Sequence, residues 1–127
     1  MATTSDPVVI VSAARTPLGR FMGDLSPLSA HQLGSHVIGA AVERAKLSPE
    51  RIDEIFMGCV LPAGQGQAPA RQAARGAKLP DATGATTVNK VCGSGMKATM
   101  LAHDIIKAGS ADIVLSGGME RDRKSVV

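Results

Sequence analysis

The hydrophobic positions of this chain form short blocks that alternate between two periodicities. Val8-Val9-Ile10-Val11 is a β-branched run without polar alternation, the pattern of a strand covered on both faces. A first strand is therefore expected there. Pro17 biases the residue before it away from helix, so Ala13 to Gly19 reads as a loop. Leu33, Val37, Ala41 and Ala45 then recur at i, i+4, with Ile38 and Val42 beside them, predicting a helix buried along that stripe. Ser48-Pro49-Glu50 has the form of a cap and a proline-started helical turn. Ile52 to Leu61 reads as a second buried strand with Cys59 inside it. The glycines of Gly64-Gln65-Gly66-Gln67 disfavour regular structure, and Pro69 suits the start of a short helix over Ala70 to Lys78. Thr86 to Val91 predicts a third strand, ending at Cys92-Gly93-Ser94-Gly95. Ala98, Leu101, Ala102, Ile105 and Ile106 carry helical spacing, and Gly109 suits the C-cap. Ile113-Val114-Leu115 completes a fourth strand. Strand and helix alternate throughout, which predicts the α/β class with mostly parallel strands joined by right-handed crossovers. No repeat or linker divides the chain.

Composition narrows the function classes. The hydrophobic fraction of 44% is ordinary, but two Phe with no Trp or Tyr leave few stacking platforms for single-stranded nucleic acid. The net charge of +3 is concentrated at the end, where Arg121, Asp122, Arg123 and Lys124 together supply +2, so no basic surface points to a nucleic-acid partner. No apolar run approaches the roughly 18 to 20 residues that span a bilayer, and no membrane partner is expected. The start, Met1 to Pro7, does not resemble a signal peptide, and two cysteines offer no disulfide framework. A reducing, cytoplasmic location is the expectation.

The chemistry concentrates at Cys92. A thiol between a strand and a helix N-terminus meets unpaired backbone N–H groups and the positive end of the helix dipole, which stabilise a thiolate. The same N–H groups can hold the oxyanion formed when that thiolate attacks a thioester, and Gly93 and Gly95 leave room for close approach. A packed thiol in a small-residue turn would give a similar pattern. Cys59, among Phe56, Met57, Val60 and Leu61, reads as a core thiol. His31, His36 and His103 are isolated on or beside helices and no metal site is expected. Gly64-Gln65-Gly66-Gln67 lacks the Lys-Ser/Thr pair of a phosphate loop, having Ala68-Pro69 instead. Arg71 and Arg75, one helical turn apart, could meet a carboxylate or phosphate, though a solvated or interface helix face is the commoner explanation.

Asn89-Lys90-Val91-Cys92-Gly93-Ser94-Gly95-Met96-Lys97-Ala98 resembles the signature around the acyl-accepting cysteine of the thiolase family. Ser12-Ala13-Ala14-Arg15-Thr16-Pro17-Leu18-Gly19, Ala68-Pro69-Ala70-Arg71-Gln72-Ala73 and Gly117-Gly118-Met119-Glu120 agree with it in colinear order. The resemblance covers Val8 to Glu120. It implies a layered α/β fold of two similar halves, of which this chain supplies the opening part of the first. It also implies that Cys92 takes an acyl group from acyl-coenzyme A and passes it to a second acyl-coenzyme A in a Claisen condensation, or runs the reverse thiolysis. The Leu61 to Pro69 stretch looks most like short-chain members that join two acetyl units. The resemblance further implies that no cofactor is held permanently, that coenzyme A thioesters are the substrates, with the coenzyme-binding residues unassigned, and that the full-length protein is a homo-oligomer, dimer or tetramer. The family's Gly-His-Pro motif, second cysteine and water-orienting asparagine have no match here, so the chain alone should lack turnover. A related condensing enzyme of ketoacyl synthase type, or a thiolase-like lipid-binding protein, is the alternative. After Glu120 the family continues Ser-Met-Ser, whereas this chain has Arg121-Asp122-Arg123. From Asp122 onward the residues are those encoded, with a stop, by a common sequencing-adapter oligonucleotide (GATCGGAAGAGCGTCGTGTAG). Residues 1–120 are therefore expected to be a partial thiolase N-terminal domain and 121–127 a non-native tail.

Overall fold

The computed structural model describes residues 6–122. Three helices, one short 3-10 turn and a sheet of three strands make up its regular elements: α1 (Ala30–Ala45), the turn Pro49–Arg51, β1 (Glu54–Gly58), α2 (Pro69–Gly76), β2 (Gly84–Val88), α3 (Ser94–Lys107) and β3 (Val114–Gly118). The strands are parallel in the order β2-β1-β3, with Glu54 in register with Gly84 on one side and Val114 on the other. The chain leaves β1 toward one edge and returns from β2 across to the other. Right-handed crossovers then put α2 and α3 on opposite faces of the sheet.

Alternation along the strands confirms the two faces. Ile55 and Met57 are fully buried in the cluster that also holds Ile38 and Val42 of α1 and Ala70, Ala73 and Ala74 of α2. Gly58 and Gly118 point the other way, toward the first residues of α3. Asp53 ties the lower ends of two strands together: its carboxylate accepts the N–H groups of Asp112 at 2.8 Å and Ile113 at 3.0 Å. Those two donors, Ile113 first, hold the Asp53 carboxyl below its ordinary value. At the start of α1, Ser29 and Gln32 form a reciprocal capping box, a device worth about 1 kcal/mol.

Most expected elements are present with shifted edges. The proline-started helix and the helix behind Cys92 are found, and Gly109 takes φ +76 just past the end of α3; Ser48 precedes the Pro49–Arg51 turn but makes no capping bond to its backbone, its hydroxyl turning to the Glu50 carboxylate instead. The buried row of α1 is Ala30, Gly34, Ile38 and Val42; Ile38 and Val42 belong to the expected stripe, while Leu33, Val37, Ala41 and Ala45 are half-buried beside it, so the buried line lies one position round. Gly34 explains the rotation. A Cβ there would lie 3.2 Å from the Ala73 Cβ and 2.6 Å from the Met119 Sδ, so α1 and α2 approach through their smallest residues.

The first expected strand is not formed. Val8 to Val11 carries no ladder, and Val9, Ile10 and Val11 are 72%, 84% and 68% exposed. The segment runs from Asp6, which meets His103 of α3, to Ser12 and Ala13, which bond Ala41 and Arg44 of α1. It thus passes from one face of the sheet to the other without pairing. The apolar pattern records a run that needs covering, and no described residue covers it. Of the expected tail, residues 123–127 lie outside the described residues.

Candidate active site

The three parallel strands deliver their following loops to one end of the sheet, where binding sites of open α/β folds gather. Beyond β1 come Cys59, Val60 and Leu61; beyond β2 comes Cys92; beyond β3 come Met119 and Glu120. A cleft of about 500 Å3 lies between them, lined by Val60, Leu61, Val91, Cys92, Gly95 and Glu120 among others. Cys92 is exposed at its edge and is not in a disulfide.

The turn that presents Cys92 is held in an unfavourable shape. Val91 has φ +47, a left-handed conformation that is costly for a β-branched residue. Two side chains stabilise it. Asn89 Oδ1 accepts the Val91 N–H at 3.0 Å. Ser94 Oγ accepts the Lys90 N–H at 2.8 Å and donates to the Val91 carbonyl at 2.6 Å. Ser94 is only 4% exposed, so its two bonds are partly shielded from water, whereas the Asn89 bond is open to it. The pattern is a strand, a strained turn carrying an exposed thiol, and a helix.

Glycines set the helix against the sheet. A Cβ on Gly58 would stand 2.6 Å from the Ser94 carbonyl carbon and 2.7 Å from the Gly95 nitrogen. One on Gly118 would stand 3.4 Å from the Gly95 Cα. Only bare backbone lets the N-terminus of α3 sit this low over β1 and β3. The amides of Gly93 and Ser94 are spent on the carbonyls of Lys90 and Val91. Among the described residues none accepts a hydrogen bond from the amides of Cys92, Gly95 or Met96. They remain available to an anion.

A family model for the thiolase N-terminal domain matches residues 8–123. The chain belongs to the thiolase family. It is 58% identical over 113 residues to the acetyl-CoA acetyltransferase of Cupriavidus necator, covering 89% of this chain and 29% of that protein. With the mitochondrial acetyl-CoA acetyltransferase of Danio rerio it shares 55% over 113 residues, 89% of this chain and 27% of the relative. Its structure superposes on the Acat5 thiolase of Ascaris suum, solved in complex with coenzyme A, with a TM-score of 0.84 at 40% identity, over 86% of this chain and 28% of that one. The chain thus spans less than a third of each of these relatives. The expected α/β layered fold of the thiolase opening half is the one observed.

Other side chains of this thiolase segment fall into place around the turn. Cys59 is 1% exposed, directly past β1 rather than within it, and its N–H bonds the Val88 carbonyl at 2.9 Å. Burial first, and the nearby Glu120 carboxylate second, push its thiol above the ordinary value. His103 is not isolated. Its Nε2 is 2.6 Å from Asp6 and its Nδ1 3.2 Å from Asp104, and these bonds, Asp6 first, raise its pKa. It lies more than two helical turns along α3 from Ser94 and belongs to the surface. Arg71 and Arg75 both meet Asp81, and Arg71 also donates to the backbone carbonyls of Thr83 and Asp81, so they brace the loop before β2. Among the described residues no cluster of His, Cys, Asp and Glu could hold a metal ion. Asn89, Ser94 and Glu120 stand in the segments that carry the family resemblance, but the residue-by-residue chemistry gave them no part at the site; the structure places the first two in the Cys92 turn and Glu120 on the cleft. Asn89 two residues before the turn is a recognisable local signal. Glu120 stands in the Gly117-Gly118-Met119-Glu120 segment of the family resemblance, but nothing local gives its contacts, because its partners lie about sixty residues away in the chain.

Proposed function

We propose that this chain is the opening segment of a coenzyme A-dependent acyltransferase of thiolase type, with Cys92 as the residue that accepts the acyl group. One observation carries the reading: an exposed thiol on a strained strand-to-helix turn, at the edge of a cleft, beside amides that have no other acceptor. The Cys92 sulfur attacks the thioester carbonyl, forming a carbon–sulfur bond. The tetrahedral oxygen is met by backbone N–H groups of the turn. Collapse breaks the bond to coenzyme A, which leaves as the thiol with the proton that Cys92 gave up. A second acyl-coenzyme A, deprotonated next to its carbonyl, then attacks the Cys92-bound acyl carbon, forming a carbon–carbon bond and freeing the Cys92 sulfur. Two acetyl units would give acetoacetyl-coenzyme A. The groups that move these protons belong to family motifs absent from this segment, so the segment alone is expected to turn nothing over.

The names of the relatives, both acetyl-CoA acetyltransferases, support acetyl-coenzyme A as the substrate. The coenzyme A in the Ascaris suum structure supports the carrier. Brief exposure of the full-length enzyme carrying this segment to acetyl-coenzyme A, acid quenching and peptide mass analysis should place the acetyl group on the Cys92 peptide. Label on the Cys59 peptide would refute the assignment.

The full-length protein is proposed to be a cytoplasmic homo-oligomer. Two free thiols suit a reducing compartment, and large apolar side chains left exposed in this segment, Phe21, Met22 and Met96 among them, are of the kind that contact with further protein covers. Residues 121–127 are proposed to be foreign to the natural sequence. Independently amplified genomic DNA should continue past the Glu120 codon with Ser-Met-Ser-like sequence; an in-frame Asp-Arg-Lys-Ser-Val-Val and stop would refute this.

A further inference from the structure

Glu120 stands where the cleft and the second thiol meet. Its two carboxylate oxygens accept the N–H groups of Val60 at 2.8 Å and Leu61 at 2.9 Å. Both residues line the cleft beside Cys92, as does Glu120 itself. Beneath it lies the buried Cys59 sulfur, 4.0 Å from one Glu120 oxygen and 3.5 Å from the Gln65 amide nitrogen. Cys59 is not part of the cleft lining. Gln65 also donates to the Leu61 carbonyl at 2.5 Å, so Glu120 and Gln65 grip the same segment from its two sides.

We propose that Glu120 is a positioning residue that clamps the Val60–Leu61 wall of the acyl cleft and screens Cys59 from it, so that a chain with two thiols offers only Cys92 to the substrate. The proposal rests on the reading of the cleft as the acyl-transfer site. The physical case has three parts. A carboxylate has the acceptor capacity to satisfy two converging N–H donors at once, and bonds to a charged acceptor are about twice as strong as neutral ones. Past Gly58 the Cys59 N–H still bonds the Val88 carbonyl, and the Glu120 clamp takes over from there, holding the next two amides, Val60 and Leu61. An anion against a buried thiol also opposes a second negative charge there, and Cys59 is held in its protonated, unreactive form.

Glu120→Gln keeps the shape but leaves one oxygen to accept, so one of the two amides faces an NH2 group instead. Alkylation by iodoacetamide, followed by peptide mass analysis of native full-length enzyme, reads the outcome without any need for turnover. The unaltered enzyme should be alkylated on Cys92 and spared on Cys59. In Glu120→Gln the Cys59 rate should rise about tenfold or more, as loss of a hydrogen bond to a charged group eases local opening. Ser29→Ala, which weakens the α1 cap far from the cleft, serves as the destabilised control and should leave Cys59 protected. A second readout is the ratio of kcat/KM for acetyl- over butanoyl-coenzyme A, which should fall in Glu120→Gln as the wall loosens and stay unchanged in Ser29→Ala. Cys59 still protected in a folded Glu120→Gln enzyme, or equally exposed in Ser29→Ala, would overturn the proposal. Because alkylation does not depend on acyl transfer, that result stands apart from the acetyl-labelling test of Cys92.

Discussion

Cys92→Ser in the full-length enzyme should lower turnover by about ten-thousand-fold or more, the scale seen when a nucleophile is removed from a group of residues that act together. The structure keeps every other contribution in place. The Val91 turn is held by Asn89 and Ser94, neither of which bonds the Cys92 side chain, so a serine would sit where the thiol sits and meet the same open amides. What changes is the attacking atom: a hydroxyl is far less ionised near neutral pH than a thiol and is the weaker nucleophile toward a thioester. Substrate affinity should therefore change little while kcat collapses, and no acetyl group should be recovered on the peptide. Cys59→Ala gives the contrast. It removes a buried sulfur from the core cluster, and its cost should appear in thermal stability at about 1 kcal/mol, near the value of one buried methylene-sized group, with kcat retained. A Cys92→Ser enzyme with more than a hundredth of the original kcat, or a Cys59→Ala enzyme that loses acyl transfer while folded, would show that the two thiols were assigned the wrong way round.

What could be read in the sequence was what depends on near neighbours. The helix behind Cys92, its end at Gly109 and the proline-started α2 are written in spacing and in residues with one backbone preference. The thiol at the strand-to-helix junction follows from the same local pattern. The missed features all depend on residues far apart. Val8 to Val11 has the composition of a buried strand, but composition states only that cover is needed. The cover is absent from this segment of less than a third of a thiolase, so the run stays exposed. Ile38 and Val42 were legible as the buried part of α1, but the centre of its face was set one position off, because hydropathy ranks Leu33 and Val37 above Gly34, whereas contact with α2 selects the smallest side chain. Glu120 belongs to a recognisable local segment, Gly117 to Glu120, but its contacts with Val60 and Leu61 could not be read from that segment. Its role comes from parallel topology, which brings the end of β3 beside the end of β1.

The same topology makes Gly58 a position where one added side chain should separate activity from stability. It is the last residue of β1 and lies directly under the first turn of α3, with the atoms it would strike belonging to the Ser94 and Gly95 backbone at 2.6 and 2.7 Å. Backbone in a helix cannot swing aside as a long side chain can, so α3 must lift. Overpacking of this kind costs about 1 to 3 kcal/mol, sometimes more, and Gly58→Val should lie at the upper end, with Gly58→Ala somewhat below it. The lift falls on the turn that aims Cys92 and on the Ser94 bonds that hold Val91 left-handed. The kcat of the full-length enzyme, measured well below the melting temperature, should fall by about a hundredfold, as misplacement of a reacting group by about 1 Å can cause. Gly39→Ala provides the opposite sign. No atom lies within 4 Å of a Cβ built there, and it sits inside α1, where alanine in place of glycine stabilises a helix by about 0.5 to 1 kcal/mol. That variant should melt higher with unchanged kcat. Gly58→Val melting as the unaltered enzyme does and retaining its kcat would mean that α3 does not rest on β1 as described, and the geometry assigned to the Cys92 turn would fall with it.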